Sequence, residues 1–198
     1  AELVARFAGG RRERLLDIGA GFGHLLHALG ERFPAASRMA IEPSEACGRH
    51  LERLGVRVAT GPGEEALERE PGGWDLVTAS HVVEHLRAPR ETLEALAEKM
   101  WGGGILYVEV PHLARGALRK YPDHLLAPRH DEPHLTFFHG GALRALLERC
   151  GYEVLFLDTA GPLYRYVPGW VYGLPQWRWL ADRYVPRGVL QAAGRLPG

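Results

Sequence analysis

Lysine is nearly missing from this chain: Lys99 and Lys120 are two of 24 basic residues, and arginine supplies the rest. That bias reads as compositional and marks no phosphate-binding face. No charge of one sign dominates either. Lys+Arg and Asp+Glu balance at 24 each, which removes the global field that draws a protein to nucleic acid or to an anionic membrane. Cysteine is equally sparse. Cys47 and Cys150 form no C-x-x-C and no disulfide framework, so a reducing, cytoplasmic setting is expected. No apolar run approaches the roughly 20 residues that a membrane-spanning helix needs, and no segment has the pattern of a signal peptide. The chain begins at Ala1 rather than at methionine, which leaves an upstream segment open. What is present suits a single globular domain: 198 residues, 46% apolar and 24% charged, enough to bury a core without staples.

Strand and helix patterns alternate along the chain. Residues 2–8 read as the end of a helix broken by Gly9-Gly10. Short apolar runs at 14–18, 38–42, 56–59, 74–80, 105–110 and 152–157 read as strands. Between them, helical spacing covers 24–33, 44–54, 64–69, 89–100 and 140–150, with Ser44 as a cap, Pro34 as a stop and Gly55 at a C-terminus. A strand–helix repeat of this kind predicts a parallel sheet with helices on both faces. Such sheets bind ligands at the C-terminal ends of their strands, beside the point where strand order reverses.

Three stretches fall at such ends. LLDIGAGFG, residues 15–23, places glycines at 19, 21 and 23 in a strand-to-helix turn. There the backbone can approach a ligand without a Cβ, and the following helix offers unpaired N–H groups. A dinucleotide fingerprint spaces its glycines G-x-G-x-x-G/A. Here the third comes one residue early and His24 fills the small position, which disfavours NAD. Ile41-Glu42-Pro43 then puts an acid 19 positions after Gly23, where it can accept from both hydroxyls of a ribose. The third stretch, Ser80–Leu86 (SHVVEHL), contains H-x-x-E-H, a pattern that binds zinc when it lies on a helix.

Leu15–Gly23, Ala40–Pro43, Trp74–Leu86 and Gly103–Pro111 together resemble class I S-adenosylmethionine-dependent methyltransferases, most closely the bacterial small-molecule and sugar-modifying branch. The likeness spans about residues 12–158. It implies an α/β fold: a Rossmann-like, doubly wound, seven-stranded, mostly parallel sheet. It also implies S-adenosylmethionine as the cofactor. Position by position, Gly19, Ala20, Gly21 and Gly23 would contact its methionine part, and Asp17 would orient the turn and the amino group. Glu42 would hold the ribose, and Pro43, Gly61 and Pro62 would shape the adenine pocket, with Glu64 or backbone groups meeting the adenine amino group. Ser80 and His81 would lie beside the sulfonium.

In that setting His81 emerges at a strand end, so paired zinc ligation with His85 is disfavoured, and no metal is expected. Glu84-His85-Leu86 would open the next helix, Glu84 as scaffold and His85 toward the substrate side. Methyl transfer needs positioning and a deprotonated nucleophile, a task that suits histidine. His85, His112 and His134 are the candidates. Domain limits are read as a methyltransferase core over 1–160, with 111–139 as an acceptor-side insertion, and an aromatic-rich extension over 161–198. The front of that extension reads as a closing antiparallel strand followed by a helix. Its stripe Trp177, Leu180, Ala181 and Tyr184 could cap the site, sit at a membrane interface, or pair two copies as a homodimer. The expected function is methylation of a small-molecule acceptor at oxygen, nitrogen or carbon, with no nucleic-acid partner and no membrane span. The alternatives are an NAD-type oxidoreductase, a zinc hydrolase built on His81 and His85, or a binding module that keeps the fold without the chemistry.

Overall fold

The computed structural model describes residues 1–8, 12–113, 134–160 and 189–198. Its helices are α1 (Glu2–Phe7), α2 (His24–Arg32), α3 (Glu45–Arg53), α4 (Gly63–Arg69), α5 (Pro89–Glu98) and α6 (Gly140–Arg149), with a 3-10 turn at Val83–His85. Its strands are β1 (Arg14–Ile18), β2 (Ser37–Glu42), β3 (Arg57–Thr60), β4 (Trp74–Ser80), β5 (Met100–Pro111), β6 (Glu153–Ala160) and β7 (Val189–Arg195). The seven strands form one sheet in the order β3-β2-β1-β4-β5-β7-β6. β1 to β5 pair in parallel, while β7 runs antiparallel to both of its neighbours. This is the doubly wound, mostly parallel α/β sheet that the sequence predicts.

Period-two alternation in the strands feeds two cores. Leu15, Ala40, Leu76, Ile105 and Tyr107 pack with Leu26 and Leu29 of α2 and Leu51 of α3. The intervening Leu16, Met39, Ile41, Val77, Leu106 and Val108 pack on the opposite face with Leu67 of α4, Leu93 and Leu96 of α5, and Leu143 and Leu147 of α6. Polar groups fix the joints. Asp75 Oδ2 accepts from the N–H groups of Glu13 and Arg14, at 2.8 and 2.9 Å, and so holds the start of β1 against β4. Ser44 caps α3 by accepting from the N–H of Cys47.

One element differs from the sequence expectation. Glu84, His85 and Leu86 do not open the next helix: the 3-10 turn ends at His85, Leu86 is extended, and α5 starts only at Pro89. Proline disfavours helical backbone in the residue before it and suits the first helical position, so the break is local in origin. The described part of the 161–198 segment supplies an antiparallel strand, β7, at its end; the front of the segment, where the sequence places such a strand and a helix, lies outside the described residues. Ala192, Ala193 and Gly194 are small enough to insert between β5 and β6, and a Cβ on Gly194 would meet Tyr152 at 2.9 Å. The stripe Trp177, Leu180, Ala181 and Tyr184, and most of the 111–139 insertion, lie outside the described residues.

Candidate cofactor and acceptor site

Strand order reverses between β1 and β4: β2 and β3 lie on one side, β5 and the rest on the other. The loops following β1, β2, β3, β4 and β5 therefore converge at one edge, on either side of the switch.

At the end of β1, Gly19, Gly21 and Gly23 have φ of +68°, +54° and +76°. All three lie in the left-handed region that side chains avoid. Their surroundings divide the labour. A Cβ on Gly19 would collide with Val82 Cγ2, and one on Gly23 would collide with Leu51 Cδ2, whereas one on Gly21 would meet no atom within 4 Å. Gly19 and Gly23 thus permit close packing of the scaffold, and Gly21 borders open space. Gly23 supplies the tight packing expected of a third glycine, and His24 stands exposed at the first position of α2. The buried carboxylate of Glu42, at the end of β2, ties this turn down. Its Oε2 accepts from the N–H of Gly21 at 2.6 Å and its Oε1 from the N–H of Ser44 at 2.8 Å. A carboxylate has about four acceptor sites, so two N–H groups leave room for two hydroxyl donors.

Asp17 lies one residue before the turn and is 3% exposed. Its Oδ1 accepts from the hydroxyl of Thr78 at 2.6 Å. Burial pushes its carboxyl up to about 7 against the lowering effect of the Thr78 bond, and the neighbouring charge of Glu42 adds to the rise. A cation brought to this carboxylate would favour its charged form and offset the rise.

The loop after β4 is shaped by His81, a non-glycine residue at φ +56°. Its N–H donates to the carbonyl of Glu109 on β5 at 2.8 Å, and its ring lies between two carboxyl groups. Nδ1 is 3.3 Å from Glu84 Oε1, and Nε2 is 3.5 Å from Glu109 Oε1. Hydrogen bonds to Glu109 and then Glu84 outweigh burial and hold the imidazole up to about 9, so it is protonated at neutral pH. Glu109 is pulled down to about 2, chiefly by His81 and further by donors from Tyr107 at 2.7 Å and Gln191 at 2.9 Å. Both ring nitrogens of His81 therefore face carboxylates rather than His85.

His85 meets a different partner. Its ring stacks edge-to-face on that of His134, with centroids 4.8 Å apart, and His134 in turn touches Phe137. The N–H groups of Leu135 and Thr136 both donate to the carbonyl of Glu84, which stitches the segment before α6 to the 3-10 turn. His112 forms a bridge with Phe138 just after β5. At the end of β3, Gly61 (φ +135°) and the exposed Pro62 lead into α4. Glu64, the alternative contact for an adenine amino group, is engaged elsewhere: its Oε1 accepts from the N–H groups of Arg87 and Ala88 at 3.0 and 3.1 Å, where α5 lacks a side-chain cap. Pro43 is exposed and Ser80 half-buried at the ends of β2 and β4.

Residues 1–157 match the family described as a methyltransferase domain. The chain belongs to this family. S-Adenosylmethionine is the cofactor of these class I methyltransferases, whose sheet topology this is. Among curated relatives, the ubiquinone biosynthesis O-methyltransferase of Saccharophagus degradans is 30% identical over 99 residues, covering 48% of this chain and 42% of that protein. The malonyl-[acyl-carrier protein] O-methyltransferase of Geobacter sulfurreducens is 32% identical over 158 residues, covering 71% of this chain and 55% of that protein. The chain therefore spans about half the length of these two relatives. A crystal structure of an S-adenosylmethionine-dependent methyltransferase from Archaeoglobus fulgidus superposes with a TM-score of 0.67 at 21% identity, covering 98% of this chain and 90% of that one.

Membership in the methyltransferase family displaces the oxidoreductase and zinc-hydrolase alternatives. Sequence reasoning does not single out Thr78, Tyr107, Glu109 or Gln191, although each holds a member of the site. One signal was available for two of them. Tyr107 and Glu109 stand two apart on a strand that ends at the switch, so they share a face. Gln191 reaches the site only because β7 inserts beside β5, which no local pattern reveals.

Proposed function

We propose that this chain transfers the methyl group of S-adenosylmethionine to a small-molecule acceptor at the C-terminal edge of β1 and β4. The observation that carries the reading is the Glu42 clamp: a buried carboxylate with acceptor capacity to spare, bonded to the N–H of Gly21, the one glycine of the turn that borders open space. Bound there, the cofactor supplies a methyl carbon already activated by its sulfonium. Glu42 would accept from the ribose hydroxyls, and Gly19, Ala20, Gly21 and Gly23 would let the methionine part lie against the backbone. Asp17 would take the amino group as its counter-ion. Pro43, Gly61 and Pro62 would border the adenine, and Ser80 and His81 the sulfonium.

The chain's own contribution to the transfer is placement and proton removal. The acceptor atom forms a bond to the methyl carbon as the carbon–sulfur pair returns to sulfur, and the acceptor's proton passes to a base. His81 is charged and cannot serve as that base. His85 and His134, whose rings meet, are the candidates together with His112. The names of the two curated relatives favour oxygen as the atom methylated.

Calorimetric titration of S-adenosylmethionine into the wild type and Glu42→Ala tests the reading. Loss of charge-assisted hydrogen bonds worth about 1.5–3 kcal/mol weakens affinity by roughly 10- to 150-fold. Equal affinities for the two proteins, or no binding to the wild type, would overturn it.

A further inference from the structure

We propose that Glu84, His85 and His134 form a binding site for a divalent first-row metal ion. Among the described residues they are the one group of three such donors, and their ligand atoms lie within 4.8 Å of one another. Donor atoms around a tetrahedral ion at about 2.1 Å are about 3.4 Å apart, so the trio must close by about an ångström or a little more. His134 is exposed and His85 partly exposed. The fixed donor is Glu84, only 1% exposed at the core end of the 3-10 turn.

A second observation points independently to a ligand. Glu84 Oε1 faces His81, but Oε2 is buried and finds no hydrogen-bond partner among the described residues. Leaving such an oxygen unsatisfied costs about 1–3 kcal/mol, and more when it is charged. A cation held between Glu84 and His85, whose Nε2 lies 4.0 Å from Oε1, would bring a positive charge to this carboxylate. Two imidazoles and one carboxylate suit zinc, nickel or iron rather than magnesium or calcium, and they leave coordination positions open. His134 leaves a route to solvent for entry. The H-x-x-E-H pattern therefore contributes its Glu and second His to this site, with His134 in place of His81; an occupied site would take the lone pairs of both imidazoles and leave His112 as the candidate base.

Titration with cobalt(II), followed by visible absorption, and with zinc(II), followed by calorimetry, tests the site directly. The wild type should saturate with one ion and give a cobalt spectrum of low coordination number. His134→Ala and Glu84→Gln should each weaken binding at least about 10-fold, while His27→Ala, on the exposed face of α2, should bind as the wild type does. His134 is exposed, so His134→Ala decides the matter even if Glu84→Gln does not fold. No saturable binding up to millimolar metal, or wild-type affinity in His134→Ala, overturns the proposal. Titrating S-adenosylmethionine into the same samples reports the cofactor site separately.

Discussion

Replacing Asp17 by asparagine should stabilise the fold at alkaline pH while impairing the cofactor site. The carboxyl rises from 3.8 to about 7 because the folded chain withdraws it from water and offers only one hydroxyl, from Thr78, in return. The folded state therefore binds this proton more tightly than the unfolded state. Between about pH 4 and pH 7 stability falls as pH rises, and above about 7 the full penalty is present. A rise from 3.8 to about 7, at about 1.36 kcal/mol per tenfold change in proton affinity, sets the penalty at about 4 kcal/mol, an upper figure because the chain can relax around the charge. An amide of the same shape keeps an oxygen for Thr78 and never ionises. The difference in stability between Asp17→Asn and wild type should then grow by about 2–3 kcal/mol from pH 5 to pH 8, in favour of the variant.

Urea denaturation of both proteins at the two pH values, without cofactor, measures this, and other titrating groups cancel in the difference. A stability difference that does not change with pH, or a variant less stable than wild type at pH 8, would refute the assignment of the penalty to Asp17. In the proposed complex the same charge becomes an asset. The cofactor's amino group would hold the carboxylate ionised, so wild-type affinity should rise with pH up to about 7 and then level. Asp17→Asn should bind about 10-fold or more weakly, without that rise.

The glycines of the turn predict two different kinds of damage. Gly19→Ala drives a Cβ into Val82 at a positive φ, so it should cost about 2–4 kcal/mol in a thermal or urea melt, from overpacking plus left-handed strain. Gly21→Ala meets no protein atom, so it should cost only the strain, about 1–2 kcal/mol, yet weaken cofactor binding. The reverse ranking in the melt would refute this division of roles. For the clasp between β4 and β5, the His81 imidazole should titrate near 9 by NMR, and Glu109→Gln should lower that value because Glu109 is its largest cause. A wild-type value near the ordinary one of about 6.5 would show that the ring does not sit between the two carboxylates. The stability this raised group contributes is present below about 6.5 and is lost as pH rises through about 9, in modest amount because the side chain is half exposed.

What the sequence reveals here is whatever repeats along it. Alternation in Leu15-Leu16 and Ile105–Val108 sorts residues between two cores, and glycines at 19, 21 and 23 mark a left-handed turn wherever the chain places it. The motif-bearing ends of β1, β2 and β4 are legible for that reason, and their parallel order follows from the intervening helices. What escapes is set by side-chain partners far apart in the chain. Glu64 follows the loop after β3, yet its carboxylate accepts from the Arg87 and Ala88 N–H groups just ahead of α5, 23 and 24 residues away. His81 and His85 share a motif and diverge, since a positive φ turns one toward Glu109 and the 3-10 turn carries the other to His134. A motif fixes which donors are available, but backbone geometry at a single residue, His81, decides which of them can meet.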